Sequence, residues 1–478
     1  MKDFITTPEF DTLVRDLGSR YDTKTVSDSP YKRHTASLSP NVIPSIDRFP
    51  ISAHGMIIET DKGPLIDLSS QTVNTILGQN DPWVIANQIA FQKSTYPSFL
   101  TSQLHNLYTS HASALVSKIG GINDAIVNLR ICSGGSTIES LLSTAWQYRL
   151  RTVSGKTRKT KVGTFLGGFH GQAGHAGMIS STQSEAHLLF RFPGDQSSNW
   201  VFIGTPTHAS YDDTSATLSE NDQQILEFIR AQRDELFLVL LEPIMMKYGV
   251  ITPSPMFLKE LKRVCEENEI LLGFDEVQTG CGWLGEMSAS QRVGVAPNIL
   301  GISKALTAGY GPLGATIADR TLPQQGGTGE STNGADMRAL IAVIALHDRL
   351  LGVPEDRIPA STPPELREEL KTGLLPLIPA RAAHLRSLLQ PLTEKYSGII
   401  SPMRGDRLII GIPFLDTKSN TAKDIAKTMR KALMDAGVHT RIQHATLIIK
   451  PPAIITEDIA QTAVEIMDSV FARLYTSF

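Results

Sequence analysis

Asp275 and Lys304 carry the clearest chemical signal in this chain. Asp275 closes the apolar run Ile270 to Phe274, which has the length of a buried strand, so its carboxylate is delivered to a strand end. Lys304 follows the small-residue turn Gly301-Ile-Ser and precedes Ala305, Leu306 and the tight loop Thr307-Ala-Gly-Tyr-Gly-Pro312, which offer little to solvate an ammonium. A partly desolvated lysine has a lowered pKa, so its neutral amine can attack an aldehyde and afterwards carry a proton. A carboxylate at an apolar strand end needs a cation, and a protonated heterocyclic nitrogen is one. Taken singly, each residue has a plainer reading: a surface lysine, and a turn acid ahead of Thr279 and Gly280.

Two further segments match the same chemistry. Cys132-Ser-Gly-Gly-Ser-Thr137 places two glycines between a strand and an amphipathic helix expected from Thr137, and backbone donors at a helix start suit a phosphate. Phe169, flanked by glycines in Gly167-Gly-Phe-His-Gly171, is a candidate to stack on a planar ring. An aldehyde-binding amine, an acid for a ring nitrogen, a stacking face and a phosphate cradle together are what pyridoxal 5'-phosphate requires. His170 and His175 lack a second ligand set, so no metal site is expected.

Composition excludes several other classes of function. At 478 residues, with 41% hydrophobic and 19% charged residues, the chain can bury a large core in two or three domains. A net charge of -3 gives no electrostatic reason to expect nucleic acid or an anionic membrane as a partner. The basic cluster Lys156, Arg158, Lys159 and Lys161 has no interleaved aromatics and reads as a solvated turn between helix and strand. Three cysteines without metal spacing, no leader-like amino terminus and no run of membrane-span length point to a soluble protein of the reduced cytoplasm.

The elements that must position these residues alternate between strand and helix from about 125 to 320. Strands are expected at 126–132, 161–166, 200–204, 236–241 and 270–274, with helices through Ile138, Leu141, Leu142, Ala145 and Trp146, and over 256–268. This is an α/β pattern with a mostly parallel sheet between helices. A helix over 336–351 is followed by the passage holding Pro354, Pro359, Pro363, Pro364, Pro376 and Pro379, read as a boundary. Beyond it come short strands in 398–413, a helix over 422–436 stopped by Gly437, strands near 438–450 and a long helix from about Thr456. A hairpin turns at Asp61-Lys62-Gly63. The expected division is 1–75, joining a smaller α+β domain; 76–350, the large domain; and 351–478, the rest of the small domain.

In order along the chain, Asp67-Leu-Ser-Ser, Leu77-Gly-Gln-Asn-Asp-Pro82, Ser133-Gly-Gly-Ser, Gly168-Phe-His-Gly, Glu242-Pro-Ile, Asp275-Glu-Val-Gln-Thr-Gly, Ser303-Lys-Ala-Leu, Ser331-Thr332 and Pro451-Pro452 resemble the class III pyridoxal phosphate-dependent aminotransferases of fold type I. The resemblance implies that Lys304 is the Schiff-base lysine and Asp275 the partner of the ring nitrogen. It places Val277 and Phe169 on opposite ring faces and Gln278 near the ring hydroxyl. Gly134, Gly135 and Ser136 would hold the phosphate, and Thr332 would reach the phosphate of a neighbouring subunit. A homodimer with shared sites follows from that last role.

The departures from the family pattern bear on substrate. Members that handle glutamate carry an arginine three positions before the Pro-Pro pair, where this chain has Ile448, and an acid five positions after the Glu of Glu-Pro, where it has Lys247. Trp283 stands in place of an arginine in the Gly-Arg-Thr-Gly turn, and Gly334-Ala-Asp-Met337 in place of Gly-Gly-Asn-Pro. The spacing of Arg441 before Pro451-Pro452 matches the mobile arginine of the amine:pyruvate branch. A guanidinium there would grip a keto-acid carboxylate bidentately, with Lys247 a further candidate at the anion site. The expected activity is transfer of an amino group from an amine or ω-amino acid to a pyruvate-like keto acid. Racemase, aminomutase, decarboxylase or phospho-lyase chemistry on the same scaffold is the alternative, and a non-catalytic binding protein a remote one.

Overall fold

The computed structural model describes residues 8–18, 48–100, 106–131, 133–152, 159–181, 199–322, 332, 334 and 336–478. Cys132, Lys156, Arg158, Ser331, Ala335 and most of the first 47 positions lie outside the described residues.

Seven strands form the central sheet in the order Ala125–Ile131, Gly314–Asp319, Ile299–Ile302, Leu271–Asp275, Leu236–Leu241, Lys161–Phe165, Trp200–Ile203. The last five in that order are parallel to one another. Gly314–Asp319 is antiparallel to both its neighbours. The 303–313 connection is too short to carry a crossover helix, so the chain returns antiparallel. Leu236–Leu241 is buried at every position, as a strand covered on both faces must be.

Helix Pro255–Glu267 shows why the local sequence folds as it does. Pro255 occupies the first turn, the Ser254 side chain accepts from Phe257 N–H, and Phe257, Leu258, Leu261, Val264 and Cys265 form the buried stripe. Each such apolar side chain contributes about 1.5–3 kcal/mol on burial. The helix thereby holds down the strand that ends in Asp275. Because the parallel strands share a direction, Phe165, Leu241, Asp275 and Ile302 all end at one edge of the sheet.

Two smaller sheets tie the chain ends together. Pro50–His54, Ile57–Thr60 and Leu65–Asp67 form an antiparallel meander, and Val438–His439 adds parallel to Leu65–Asp67. The other holds Thr446–Ile449 between Ile410–Pro413 and Arg441–Gln443, all antiparallel. Among the described residues no helix is long and apolar enough to cross a membrane.

Several expectations need correcting. The Pro-rich passage contains two helices not expected from the sequence, Pro364–Thr372 and Ile378–Lys395. Pro364 and Pro379 sit in first turns, where a missing N–H loses nothing, and an interior proline, Pro391, hid the longer helix from a pattern reading. Within 398–413 only Ile410–Pro413 is a strand, joined by isolated bridges at Ile400 and Arg404. Of the basic cluster, Lys159 donates to the carbonyls of Asn268 and Glu269, and Lys161 pairs with Glu235. These two lysines bind the fold rather than decorate a solvated turn.

Candidate active site

A cavity of about 650 Å³ opens at the sheet edge where the parallel strands end. Lys304, Asp275, Phe169, Val277 and Gln278 line it, as do Gly134, Gly135 and Ser136. Lys247 and Arg441 line it as well. Thr332 is exposed and is not part of the lining.

Lys304 opens a 3-10 turn directly after strand Ile299–Ile302, with φ at +48°. A non-glycine residue in the left-handed region is strained, and the turn is held by Ser303 Oγ donating to Leu313 O at 2.8 Å. Burial pushes the Lys304 amine down to about 8, with the charges of Asp275 and Glu242 opposing and that of Arg441 adding to the fall. A sizeable neutral fraction at neutral pH is what a nucleophilic amine needs.

Asp275 is buried and does not stand alone. His170 Nδ1 lies 2.8 Å from its Oδ2, and Val277 N–H donates to Oδ1 at 3.1 Å. A carboxylate only accepts, so Nδ1 carries the proton, while Thr164 Oγ1, 3.0 Å from Nε2, completes the ring's partners. Glu242 receives the Phe169 N–H at 2.8 Å. Burial, then the Asp275 charge, raise its carboxyl well above the ordinary range, so Glu242 resists ionising beside Asp275.

The helix Gly134–Thr152 begins at the glycines, three residues earlier than expected. Ser133 organises this start: its Oγ meets Ser136 Oγ at 2.9 Å, and its carbonyl accepts from Thr137 N–H and Oγ1, each at 2.9 Å. The glycines are therefore the helix's first turn, with their N–H groups unsatisfied by the helix itself. A Cβ at Gly134 would meet Val277 Cγ1 at 2.9 Å, so only glycine lets this turn approach the Val277 wall.

One wall was not legible as such in the sequence. Ser70, Gln71, Thr72 and Val73 form a left-handed turn, with φ of 46°, 46°, 66° and 70°. Each costs about 1–2 kcal/mol relative to a right-handed turn. Asp67 holds it by accepting from Ser69 N–H (2.9 Å), Ser69 Oγ (2.8 Å), Gln71 N–H (3.2 Å) and Gln71 Nε2 (3.1 Å), with His439 Nδ1 at 3.2 Å. Burial would raise the Asp67 carboxyl, but His439 and Ser69 together outweigh it and hold it below its ordinary value. Thr72 and Val73 of this turn line the cavity.

Cations crowd the remaining side. Arg441 is the cross-strand partner of Ile448, and both line the cavity. Lys247 Nζ sits 3.8 Å from the centre of the Phe169 ring. Lys450 is buried, lines the cavity and donates to the Gln278 carbonyl. Arg441, Lys304 and Lys450 form no ion pair with a carboxylate among the described residues.

The class-III aminotransferase profile matches residues 45–471. This chain belongs to that family. Acetylornithine aminotransferase 1 of Bradyrhizobium diazoefficiens is 30% identical over 232 residues, 48% of this chain and 50% of that protein. Acetylornithine aminotransferase of Caldanaerobacter subterraneus is 28% identical over 50% of this chain and 55% of its own length. In these matches the chain spans about half the length of the curated relatives. Among solved structures, an amine transaminase from an uncultivated Pseudomonas species superposes with a TM-score of 0.73 at 23% identity, covering 92% of this chain and 98% of that one. Ornithine aminotransferase of Toxoplasma gondii does so with a TM-score of 0.72 at 20% identity, covering 92% and 93%. These likenesses show the fold type I architecture.

Class-III aminotransferases use pyridoxal 5'-phosphate, and the residues of this family member fit it. The buried Asp275 carboxylate, an amine of lowered pKa at Lys304 and a glycine first turn free of Cβ atoms are on one cavity. Sequence reasoning missed His170, Glu242 and Lys450. His170 lies inside the Gly168-Phe-His-Gly motif and Glu242 opens Glu242-Pro-Ile, whereas Lys450 stands just before the Pro451-Pro452 pair.

Proposed function

We propose that this class-III aminotransferase family member moves an amino group from an amine or ω-amino acid to a pyruvate-like keto acid. The observation that carries the reading is the pairing of Arg441 with Ile448 across the ladder. Residues directly opposite in an antiparallel pair have Cβ atoms about 4.5–5.5 Å apart, so a guanidinium stands beside the position from which glutamate-type members present theirs.

When bound, pyridoxal phosphate supplies an aldehyde that captures amines and a ring that withdraws electrons from the captured carbon. Asp275, oriented by His170, would accept from the protonated ring nitrogen. Phe169 and Val277 would cover the ring faces, Gln278 would lie toward the ring hydroxyl, and Gly134, Gly135 and Ser136 would hold the phosphate at the helix start. Lys304, whose amine burial brings down to about 8, would hold the aldehyde and would serve as the proton-carrying base at the amine-bearing carbon. Arg441 grips the acceptor's carboxylate and moves aside for an apolar donor, with Lys247 completing the anion site.

The same reading includes a homodimer in which Thr332 meets the neighbouring subunit's phosphate, a cytoplasmic setting, and the division 1–75, 76–350 and 351–478. Pairing of Leu65–Asp67 with Val438–His439 supports joining the two chain ends. Mixing the yellow holoenzyme with donor alone tests the reading: the colour should bleach, and pyruvate should restore it. Product formation from a single substrate, with the colour retained, would point to the racemase or lyase alternatives instead.

A further inference from the structure

Lys450 follows directly on the strand Thr446–Ile449, and like Ile448 it lines the cavity. It is wholly buried, a state lysine almost never adopts without a partner. No carboxylate pairs with it among the described residues. Its Nζ instead donates to the Gln278 carbonyl and lies 4.6 Å from the centre of the Trp283 ring. Trp283 is itself wholly buried; its Nε1 has no acceptor among the described residues, and its ring face meets Lys450. Desolvation, then the charge of Lys304, push the Lys450 amine well below its ordinary value, with Cys281 opposing.

The backbone of Lys450 joins two more walls. Its N–H donates to Leu68 O at 2.7 Å, and its carbonyl accepts from Ser70 Oγ at 2.7 Å. The left-handed turn, the Asp275 to Gln278 segment and the Ile448 strand thus meet at this one residue.

We propose that Lys450 is a positioning residue that acts as one unit with Trp283, fixing the Asp275 to Gln278 wall against which the cofactor ring rests. Trp283 stands where the family's Gly-Arg-Thr-Gly turn carries a cation, and here the nitrogen arrives from the strand end instead. An indole face and a main-chain carbonyl are both partners that a buried amine can use without a counter-charge. The inference rests on the pyridoxal phosphate reading of the cavity but not on which amine or keto acid is handled.

The test uses holoenzyme carrying Lys450→Met, Lys450→Gln, Trp283→Leu or the Met/Leu pair together. Cofactor dissociation and visible-region circular dichroism are read without substrate, beside the melting temperature. Lys450→Met should weaken cofactor retention by about ten-fold and flatten the visible dichroism, a loss that a general fall in melting temperature does not produce. Lys450→Gln, which keeps an N–H donor for the Gln278 carbonyl, should stay within about three-fold. Trp283→Leu should resemble Lys450→Met, and the pair should be no worse than either. Wild-type dichroism in Lys450→Met, or losses that multiply in the pair, would overturn the proposal. If Lys450→Met does not fold, Trp283→Leu decides alone: unchanged dichroism there overturns it. Failure of amino transfer with every donor, with these cofactor signals still changed, would sink the aminotransferase reading and leave this one standing.

Discussion

Arg441 faces Ile448 directly across an antiparallel ladder, and both side chains line the cavity that holds Lys304. The apolar residue occupies the place of a fixed carboxylate-binding arginine, while the guanidinium comes from the adjoining edge strand Arg441–Gln443. Burial, then the charge of Arg430, lower the Arg441 pKa, yet a guanidinium stays protonated throughout the working range.

Arg441→Ala should therefore raise the pyruvate KM by roughly 10–100-fold, the value of a charge-assisted hydrogen-bonded contact. The donor half-reaction should be unchanged. Stopped-flow absorbance of each half-reaction separates the two, and equal handling of pyruvate by the variant removes the assignment.

Lys304→Ala should slow amino transfer by at least roughly 10²–10⁴-fold, the usual contribution of a positioned general base. Borohydride reduction followed by peptide mapping should label Lys304 in the unaltered protein and no residue in the variant. A label on Lys450 would show that the two buried amines had been assigned in the wrong order.

The pH dependence of cofactor capture follows from the Lys304 amine, which burial brings down to about 8. The protonated form cannot attack an aldehyde. Capture by cofactor-free protein should accelerate as pH rises through about 8 and level off above it. A profile still climbing beyond pH 10, where an ordinary lysine titrates, would contradict the burial argument.

His170→Ala removes the nitrogen 2.8 Å from Asp275 Oδ2. A buried acceptor left without a donor costs about 1–3 kcal/mol. On the proposed reading the cofactor's ring nitrogen would supply a donor besides Val277 N–H, so the variant should lose more melting temperature without cofactor than with it. Equal losses in both forms would mean that the ring nitrogen does not meet Asp275.

Asp67→Ala should release the turn Ser70 to Val73, whose positive φ angles are held by five contacts to one carboxylate. Lower stability and weaker substrate binding are expected together, because Thr72 and Val73 line the cavity. With the carboxyl held below its ordinary value, its contribution is full above about pH 4 and fades as pH falls through the folded-state value. A variant whose melting temperature matches the parent's at pH 7 would show that the turn needs no such clamp.

Local pattern was enough for most of the large sheet. The apolar run 236–241 becomes a strand buried at each position, and the stripe Phe257 to Cys265 becomes a buried helix face, because a continuous apolar run and a 3.6-residue period are written into neighbouring residues. The helix Ile378–Lys395 escaped notice because Pro391 lies inside it, and tertiary packing of Ala382, Leu385 and Leu389 outweighed that local penalty.

Residue type and order by themselves brought Lys304, Asp275 and the Gly134-Gly135 turn to one cavity, since each sits beside its own strand and needs only a short connection to reach the sheet edge. Tertiary structure decided who meets whom across long separations: His170 with Asp275, Arg441 with Ile448, and Lys450 with Gln278 and Trp283. The physical reason is register. Strand order and ladder alignment bring residues far apart in the chain within a few ångströms, and a shift of one residue would turn each of those strand-borne side chains to the opposite face.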